Sequence, residues 1–337
     1  MKAVAYQNAG KLDRADSLVD VTLDKPVAAG RDLLVQVEAV SVNPVDYKIR
    51  NGVSPEAGQW KVLGWDAVGT VVETGEYVQN FKTGDKVWYA GSLIRPGANS
   101  EFHLVDERIV GHKPETLANS EAAALPLTSI TAWEMLFDRL DVRKPVAGAA
   151  NAILIIGGAG GVGSIAIQLA RALTDLTVIA TASRSETQEW IKQLGAHHVI
   201  DHSKPLAGQV EALGIGAPAF VFSTTQTPDH LSEIVALIAP QGRFGLIDDP
   251  DKLDIMPFKR KSVSVHWELM FTRPIYRTAD IGEQGCLLNE VAKLVDEGKI
   301  RTTLTEVLSP INAANLKAAH GVLESGKAKG KIVLEGW

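Results

Sequence analysis

The stretch ILIIGGAGGVGSIAIQLARAL, from Ile153 to Leu173, decides the fold of this chain. An apolar run that we predict to be a buried strand meets a glycine-rich turn, and a helix-like stretch follows. Gly158, Gly160 and Gly163 fit the pattern G-x-G-x-x-G at the place where that pattern has a physical reason. The first glycine permits a tight turn, the second lets the backbone approach a pyrophosphate, and the third lets the helix pack closely on the strand. Because a helix N-terminus offers unpaired N–H groups to phosphates, the stretch predicts a dinucleotide site.

Short apolar runs alternate with predicted helices on the C-terminal side of this loop. The helical stretches cover residues 164–173, 185–194 and 229–238, and the runs between them are continuously apolar. Strands that are apolar on both faces are typical of a parallel sheet covered by helices on both sides. We therefore predict a parallel α/β domain over residues 126–271.

The first 125 residues have a different pattern, which indicates a β-rich domain. The segment DLLVQVEAVSVN (32–43) alternates between two faces, and Gly and Pro separate the predicted strands at short spacing. This spacing is typical of a small barrel or sandwich. Because the tail is again rich in strands, we assign residues 272–337 to the same domain as residues 1–125. The parallel domain would then be inserted between the two parts of the β-rich one.

The residues after the second apolar strand indicate which dinucleotide is bound. An NAD site has Asp or Glu about 20 residues beyond the glycines, where it binds the ribose hydroxyls. The corresponding segment here is TVIATASRSE (177–186), in which Ser183 and Arg184 follow the strand and no acid takes that place. A hydroxyl beside a guanidinium suits a 2′-phosphate. We therefore predict NADPH rather than NADH, with the alternative that Arg184 is only a solvated residue at a helix start.

Composition excludes several classes of partner. The net charge is −6, and the one basic cluster, residues 259–261, is interpreted as a solvated loop, so we expect no nucleic-acid partner. No window reaches the roughly 18 uncharged apolar residues of a membrane span, and the N-terminus has no apolar signal-peptide core, so we expect no membrane partner. The single cysteine, Cys286, allows no disulfide within the chain, which favours a cytoplasmic location.

Several segments together resemble the medium-chain dehydrogenase/reductase superfamily, and within it the zinc-free quinone oxidoreductase group. They are SVNPVDYKIRNG (41–52), LGWDAVGTVVETG (63–75), ALPLTSITAWEML (124–136), GGAGGVGSIAIQLA (157–170) and GKIVL (330–334). The resemblance implies a GroES-like β-rich barrel domain and a Rossmann domain, which is a doubly wound parallel sheet. It also implies a substrate cleft between the domains and a homodimer, for which we expect the strand VSVHWEL (263–269) to form the contact.

The resemblance also implies which residues contact the cofactor. The residues near the nicotinamide should be Asn43 and Thr128, and those facing the 2′-phosphate should be Ser183 and Arg184. The pyrophosphate should be held by the loop Gly158, Ala159, Gly160, Gly161, Val162 and Gly163. Four more residues should line the groove or reach a phosphate: His202, Thr224, Ile247 and Lys331.

The expected reaction is hydride transfer to a quinone or to the β-carbon of an α,β-unsaturated carbonyl. Asn43, Tyr47 and Lys48 are the candidate catalytic residues, and the last two would donate a hydrogen bond to the charge that develops on the acceptor. Quinone oxidoreductases often place a Tyr two residues after the position of Asp46, where this chain has Lys48. On a strand adjacent side chains point in opposite directions, so which of Tyr47 and Lys48 faces the cleft stays open.

A catalytic zinc is not expected, although zinc-dependent alcohol dehydrogenases share the implied fold. Asn43 stands where those enzymes have their first Cys ligand, and the Gly-His-Glu ligand motif is replaced by Gly64-Trp65-Asp66. The four-Cys loop of the structural zinc is missing. Two alternatives stay open: an alcohol dehydrogenase with non-cysteine zinc ligands, and an NADPH-binding protein of low turnover with a sensing or structural role.

Overall fold

The computed structural model describes residues 1–337 and contains two compact units. The first unit comprises Met1–Ile130 and Phe271–Trp337, and the second comprises Thr131–Met270. The chain therefore leaves the first unit after residue 130 and returns to it at residue 271. The boundaries expected from the sequence are residues 125 and 272. No helix in the structure combines the length and the apolar character needed to cross a membrane.

Sixteen strands and ten α-helices make up the regular structure. In chain order the strands are β1 Lys2–Tyr6, β2 Val19–Thr22, β3 Asp32–Ser41, β4 Lys61–Val62, β5 Ala67–Thr74, β6 Lys86–Tyr89, β7 Phe102–Asp106, β8 Val110–His112, β9 Ala150–Ile156, β10 Thr177–Thr181, β11 His198–Ile200, β12 Pro218–Ser223, β13 Arg243–Leu246, β14 Ser264–Trp267, β15 Leu304–Leu308 and β16 Lys331–Glu335. The helices are α1 Pro44–Gly52, α2 Asn119–Ala123, α3 Pro126–Trp133, α4 Gly161–Leu173, α5 Ser185–Gln193, α6 Leu206–Ala212, α7 Thr227–Leu237, α8 Thr272–Tyr276, α9 Glu283–Asp296 and α10 Ala313–Glu324. A π-helical turn, Glu134–Arg139, follows α3.

The first unit is built around the long strand β3, which pairs with three other strands. The larger sheet has the order β15-β16-β3-β5-β6-β8, with β7 also paired to β3, and a smaller sheet has the order β2-β1-β4. The register of β3 against β5 shifts twice, and such bulges increase the local twist and bend the sheet. This confirms the predicted GroES-like β-rich domain.

The second unit is a six-stranded parallel sheet with the order β11-β10-β9-β12-β13-β14. Numbered within the unit, this order is 3-2-1-4-5-6, which is that of the doubly wound dinucleotide-binding fold. The central strand β9 has no exposed side chain from Ile153 to Ile156, as predicted for a sheet with both faces covered. The three predicted helices are found as α4, α5 and α7. The Rossmann prediction is confirmed.

Candidate functional site

The glycine-rich loop lies between the end of β9 and the start of α4. We expected Gly158 to permit the tight turn, but the left-handed backbone is at Gly157, which has a φ of +80°. Gly163 has the predicted packing role, because a Cβ atom there would lie 2.3 Å from the carbonyl oxygen of Gly157. At Gly160 the nearest protein atom to an added Cβ would be 3.6 Å away. Space is therefore left beside Gly160 into which a ligand could approach the backbone.

The helix α4 begins directly after Gly160. Gly160 is the N-cap residue and contributes no side chain to cap the helix. The first N–H groups of an α-helix have no partner within the helix, and the helix dipole adds a partial positive charge there. The loop and helix start thus have the chemistry of an anion site.

Ser183 and Arg184 lie at the end of β10, next to this loop in the order of the sheet. Both side chains are exposed, and Arg184 is the N-cap residue of α5. A hydroxyl and a guanidinium are therefore presented together at the carboxyl edge of the strand beside β9. That edge is where ligands bind in open α/β sheets.

Thr181, the last residue of β10, was not singled out in the sequence and connects two parts of the site. Its Oγ1 accepts a hydrogen bond from the Gly157 N–H at 3.0 Å and lies 3.0 Å from His202 Nδ1. His202 is half-buried, and burial lowers the pKa of its imidazole, with His230 adding to the effect. The hydroxyl of Thr181 therefore links the start of the glycine loop to His202.

Thr224 and Ile247 complete the row of residues that follow strand ends. Thr224 Oγ1 donates to the Ile156 carbonyl oxygen at 2.8 Å, and the Ile247 N–H donates to Ser223 O at 3.3 Å. The residues predicted to contact the cofactor in the second unit thus follow five neighbouring strands, β9 to β13. They share one edge of one sheet.

The segment that carries Tyr47 and Lys48 is a helix, and our interpretation of it as a strand was wrong. Asn43 is its N-cap residue, Pro44 is its first residue, and Asp46 Oδ2 accepts the Asn43 N–H at 2.8 Å. Adjacent residues on a helix are about 100° apart rather than on opposite faces. Tyr47 is half-buried and Lys48 is exposed.

Asn43 belongs to a buried polar cluster in the first unit, together with Asp46, Asp66 and Lys331. Lys331 Nζ donates to Asn43 Oδ1 at 2.5 Å, to Val42 O at 2.7 Å and to Asp66 Oδ2 at 3.2 Å. Asn43 Nδ2 in turn donates to Asp66 Oδ2 at 2.7 Å. No member of the cluster is more than 4% exposed. We call it the Asn43 cluster below.

Burial shifts the ionisation of all three charged groups in the Asn43 cluster. It raises the pKa of Asp46 to about 7, against the opposing effects of a hydrogen bond from the Asn43 backbone and the charge of Lys331. Burial also raises the pKa of Asp66 and lowers the pKa of Lys331, while the attraction between these two groups opposes both shifts. The ionised forms therefore depend on one another.

The position of Lys331 does not agree with the predicted phosphate contact. An ammonium group has three hydrogens, and the carbonyl of Val42 and the side chains of Asn43 and Asp66 accept all three. Thr128 is also buried, and its Oγ1 donates to the Leu125 carbonyl oxygen at 3.1 Å. The predicted contact between Thr128 and the nicotinamide stays a prediction.

Trp65, the neighbour of Asp66, is a packed residue. It is 1% exposed, its Nε1 donates to Ser92 O at 3.2 Å, and its ring meets that of Phe271 edge-on at a centroid distance of 6.2 Å. The side chain is therefore held by the interior of the first unit.

Comparisons with known proteins agree with both units. Residues 29–115 match the family model described as the alcohol dehydrogenase GroES-like domain, and residues 194–334 match the model described as zinc-binding dehydrogenase. A zinc-type alcohol dehydrogenase-like protein of Staphylococcus epidermidis is 37% identical over 99% of both chains. The human mitochondrial NAD(P)H oxidoreductase RTN4IP1 is 32% identical, over 90% of this chain and 81% of that protein.

Solved structures are similar over the whole chain. A Rhizobium etli CFN 42 protein provisionally classed as a zinc-dependent alcohol dehydrogenase is 68% identical, with a TM-score of 0.99 over 100% of this chain and 98% of that one. The quinone oxidoreductase of Coxiella burnetii is 28% identical, with a TM-score of 0.80 over 100% and 99%. A mycobacterial protein, Rv1454c, solved with NADPH, is 26% identical, with a TM-score of 0.82 over 99% of both chains.

The family models and the relatives together define the class of protein: the chain is an oxidoreductase of a family whose members act on small molecules. The chain belongs to the medium-chain dehydrogenase/reductase superfamily, as the two family models and the relatives show together.

One of the matching family models is described as zinc-binding, so the residues at the ligand positions are compared with those that a zinc ion needs. By the resemblance, Asn43 stands at the first ligand position, and Trp65 and Asp66 stand at the next two. Thiolate, imidazole and carboxylate groups are the usual zinc ligands, and Asp66 alone has such a group, which Lys331, Asn43 and the Leu127 N–H already contact. No group of three or more His, Cys, Asp or Glu side chains is arranged to hold a metal ion. These residues do not fit a zinc site.

Proposed function

We propose that the protein is an NADPH-dependent reductase of quinones or α,β-unsaturated carbonyls that works without zinc. The observation that carries the proposal is the hydrogen-bonded contact of Asn43, Asp66 and Lys331 at the position of the family's metal ligands. Oxidation of a simple alcohol in this family relies on a Lewis acid to stabilise the alkoxide. An enone or a quinone spreads the developing charge over a conjugated system, so hydrogen-bond donors suffice.

A nicotinamide cofactor is supported by the order of the sheet, the glycine loop and the mycobacterial structural relative that was solved with NADPH. The choice of NADPH over NADH rests on Ser183 and Arg184, which are exposed at the end of β10 where an NAD site has an acid. Arg184 would form a charge-assisted hydrogen bond with the 2′-phosphate, and Ser183 would donate from its hydroxyl. The helix N-terminus after Gly160 would hold the pyrophosphate.

In the proposed reaction NADPH supplies the hydride, and the acceptor gains that hydride and one proton. The two electrons reduce a carbon–carbon double bond to a single bond, or a quinone to a hydroquinone, while the cofactor leaves as NADP⁺. Asn43 would orient the nicotinamide. Tyr47 or Lys48 would donate a hydrogen bond to the oxygen on which charge develops, and the proton comes from that donor or from water.

Steady-state NADPH oxidation with a panel of quinones and 2-alkenals tests the proposal. We expect turnover with at least one acceptor, and little turnover when NADH replaces NADPH at the same concentration. Tight NADPH binding without turnover on any acceptor would instead support a low-turnover sensing or structural role. Zinc-dependent oxidation of alcohols with NADP⁺ would support an alcohol dehydrogenase with unusual ligands.

A further inference from the structure

Lys331 is placed where its charge acts on two residues that are distant in sequence. It is the first residue of β16, at the C-terminal end of the chain, and its side chain is 4% exposed. Asn43 precedes α1 and Asp66 precedes β5, so three separate segments meet at the ammonium group. A buried ammonium is unfavourable unless it is paired and fully hydrogen-bonded, and here it is both.

We infer that Lys331 is a positioning residue for the proposed reaction: its covalently attached positive charge fixes the orientation of the Asn43 amide. The inference rests on the proposed function. It assigns Lys331 a task that differs from the phosphate contact expected from the sequence.

The donor and acceptor chemistry of the three side chains allows one orientation of the Asn43 amide. An ammonium group can only donate hydrogen bonds, and an ionised carboxylate can only accept them. The amide oxygen must therefore face Lys331, and the amide nitrogen must face Asp66, as the distances of 2.5 Å and 2.7 Å show. Without Lys331 the oxygen would lose its donor, and the amide would no longer be held in one orientation.

The ammonium group is also one of three donors that hold the buried carboxyl group of Asp66. Asp66 is 0% exposed, and its other oxygen accepts the Leu127 N–H at 2.7 Å. Removing one partner of a buried ion pair leaves an uncompensated charge, which is strongly destabilising. Without the ammonium group, Asp66 Oδ2 would lose one of its two donors, and the carboxyl group that the Asn43 amide nitrogen faces would no longer be held in place.

Most of the amide's hydrogen-bonding capacity is used within the cluster. One Nδ2 hydrogen goes to Asp66, while the other has Trp65 O as its nearest acceptor at 3.5 Å, a length at which a hydrogen bond is weak. That second hydrogen has the weakest contact of any group in the cluster. Its direction depends on the contact with Lys331.

A double-mutant cycle between Lys331 and Asn43 tests the inference. The proteins are the wild type, Lys331→Met, Asn43→Ala and the double variant, with kcat and KM measured for NADPH and the best quinone. We expect each single variant to lower kcat at least tenfold, and the double variant to be no more than about threefold worse than Asn43→Ala alone, because interacting residues act as a unit. Lys331→Arg should recover part of the loss, and Lys86→Met, which removes an exposed lysine from the same unit, should keep wild-type kcat.

Several results would overturn the inference. The inference is wrong if the loss of kcat in the double variant equals the product of the two single losses. It is also wrong if Lys331→Met folds and keeps the wild-type kcat, with only a lower melting temperature. If Lys331→Met fails to fold, Lys331→Met/Asp66→Asn removes both charges together. On that background Asn43→Ala should change kcat less than threefold, and a full loss would contradict the inference.

The same variants separate this inference from the proposed function. Wild-type protein that reduces no acceptor rejects the proposed function. The cycle is then measured through the NADPH dissociation constant, from the fluorescence of the bound cofactor. If Lys331→Met and Asn43→Ala change that dissociation constant independently of each other, the positioning role of Lys331 is rejected, whatever the outcome for the proposed function.

Discussion

The carboxyl groups of Glu134 and Glu268 interact in the interior of the second unit and have one guanidinium beside them. Glu134 begins the π-helical turn after α3, and Glu268 directly follows β14. They are 0% and 5% exposed, and Arg139 Nε donates to Glu268 Oε2 at 2.7 Å. Burial and the neighbouring Glu134 raise the pKa of Glu268 to about 9. One cation beside two buried acids favours a pair that keeps a proton at neutral pH.

The stability of the fold should therefore fall with rising pH on account of this pair. The pKa of Glu268 is higher in the folded protein than its ordinary value near 4.5. Its contribution to the free energy of unfolding is therefore fully present below pH 4.5. The contribution is then lost as the pH rises towards about 9, at up to about 1.4 kcal/mol per pH unit. Glu268→Gln keeps a donor for Glu134 and an acceptor for Arg139 without an ionisable group. The free energy of unfolding of the wild type, relative to this variant, should fall by at least about 1 kcal/mol between pH 6 and pH 9.

Urea denaturation of both proteins at the two pH values measures this difference. Glu297→Gln is a matched control, because Glu297 is an exposed partner of Lys299 and its pKa is lowered. That variant should follow the wild type across the range. A constant difference between the wild type and Glu268→Gln would show that the pair does not retain a proton.

Cofactor preference should depend on Arg184. A charge-assisted hydrogen bond contributes about 1.5–3 kcal/mol, so NADPH should bind at least about tenfold more tightly than NADH. Arg184→Asp should remove most of that preference by weakening NADPH binding. Fluorescence titrations with NADPH and NADH measure this preference. The control is Arg260→Ala, which removes an exposed arginine from the same unit. Equal affinities in the wild type would refute the assignment.

Substitution of Gly163 should disrupt the loop. An alanine Cβ would lie 2.3 Å from the carbonyl oxygen of Gly157, which is backbone and cannot rotate away. We expect Gly163→Ala to lower stability by about 1–3 kcal/mol, as overpacking does, and to weaken NADPH binding tenfold or more. Gly208→Ala is the matched control in α6, because an added Cβ there meets nothing within 4 Å. NADPH binding by Gly163→Ala at wild-type affinity would show that the loop is not the cofactor site.

The protein should be a homodimer through the edge of the parallel sheet. β14 is the last strand in the order and presents an unpaired backbone edge, and Trp267 on it is 54% exposed. Light scattering at micromolar concentration should give twice the chain mass of 36.1 kDa. Trp267→Asp should shift the mass towards that of one chain, whereas Tyr276→Asp, at another exposed aromatic residue, should not. A monomeric wild type would contradict the prediction.

Local patterns in the sequence were sufficient to predict the parallel domain. The strand, loop and helix from Ile153 to Leu173 are adjacent in the chain, so their periodicity and glycines carry the signal. The helix α1 was misinterpreted although Asn43, Pro44 and Asp46 form a helix start, because we read the segment by its place in a β-rich region.

Contacts across long stretches of chain could not be predicted in the same way. Lys331 and Asn43 are 288 residues apart, and no periodicity connects them. Thr181 ends β10 and His202 follows β11, so the two residues meet only because these strands are neighbours in the sheet. The sequence placed the candidate residues of the parallel domain after its strands, but the partner of each side chain depends on tertiary packing.

Metal analysis and an acceptor panel on the same preparation test the central claim most directly. We predict less than stoichiometric zinc by elemental analysis, and undiminished NADPH oxidation with a quinone or a 2-alkenal after exhaustive chelation. We also predict no oxidation of simple alcohols with NADP⁺, since the Asn43 cluster offers no ligand set for a Lewis acid. One zinc per chain, with activity lost on chelation and restored by added zinc, would contradict the proposal and identify a zinc-dependent alcohol dehydrogenase.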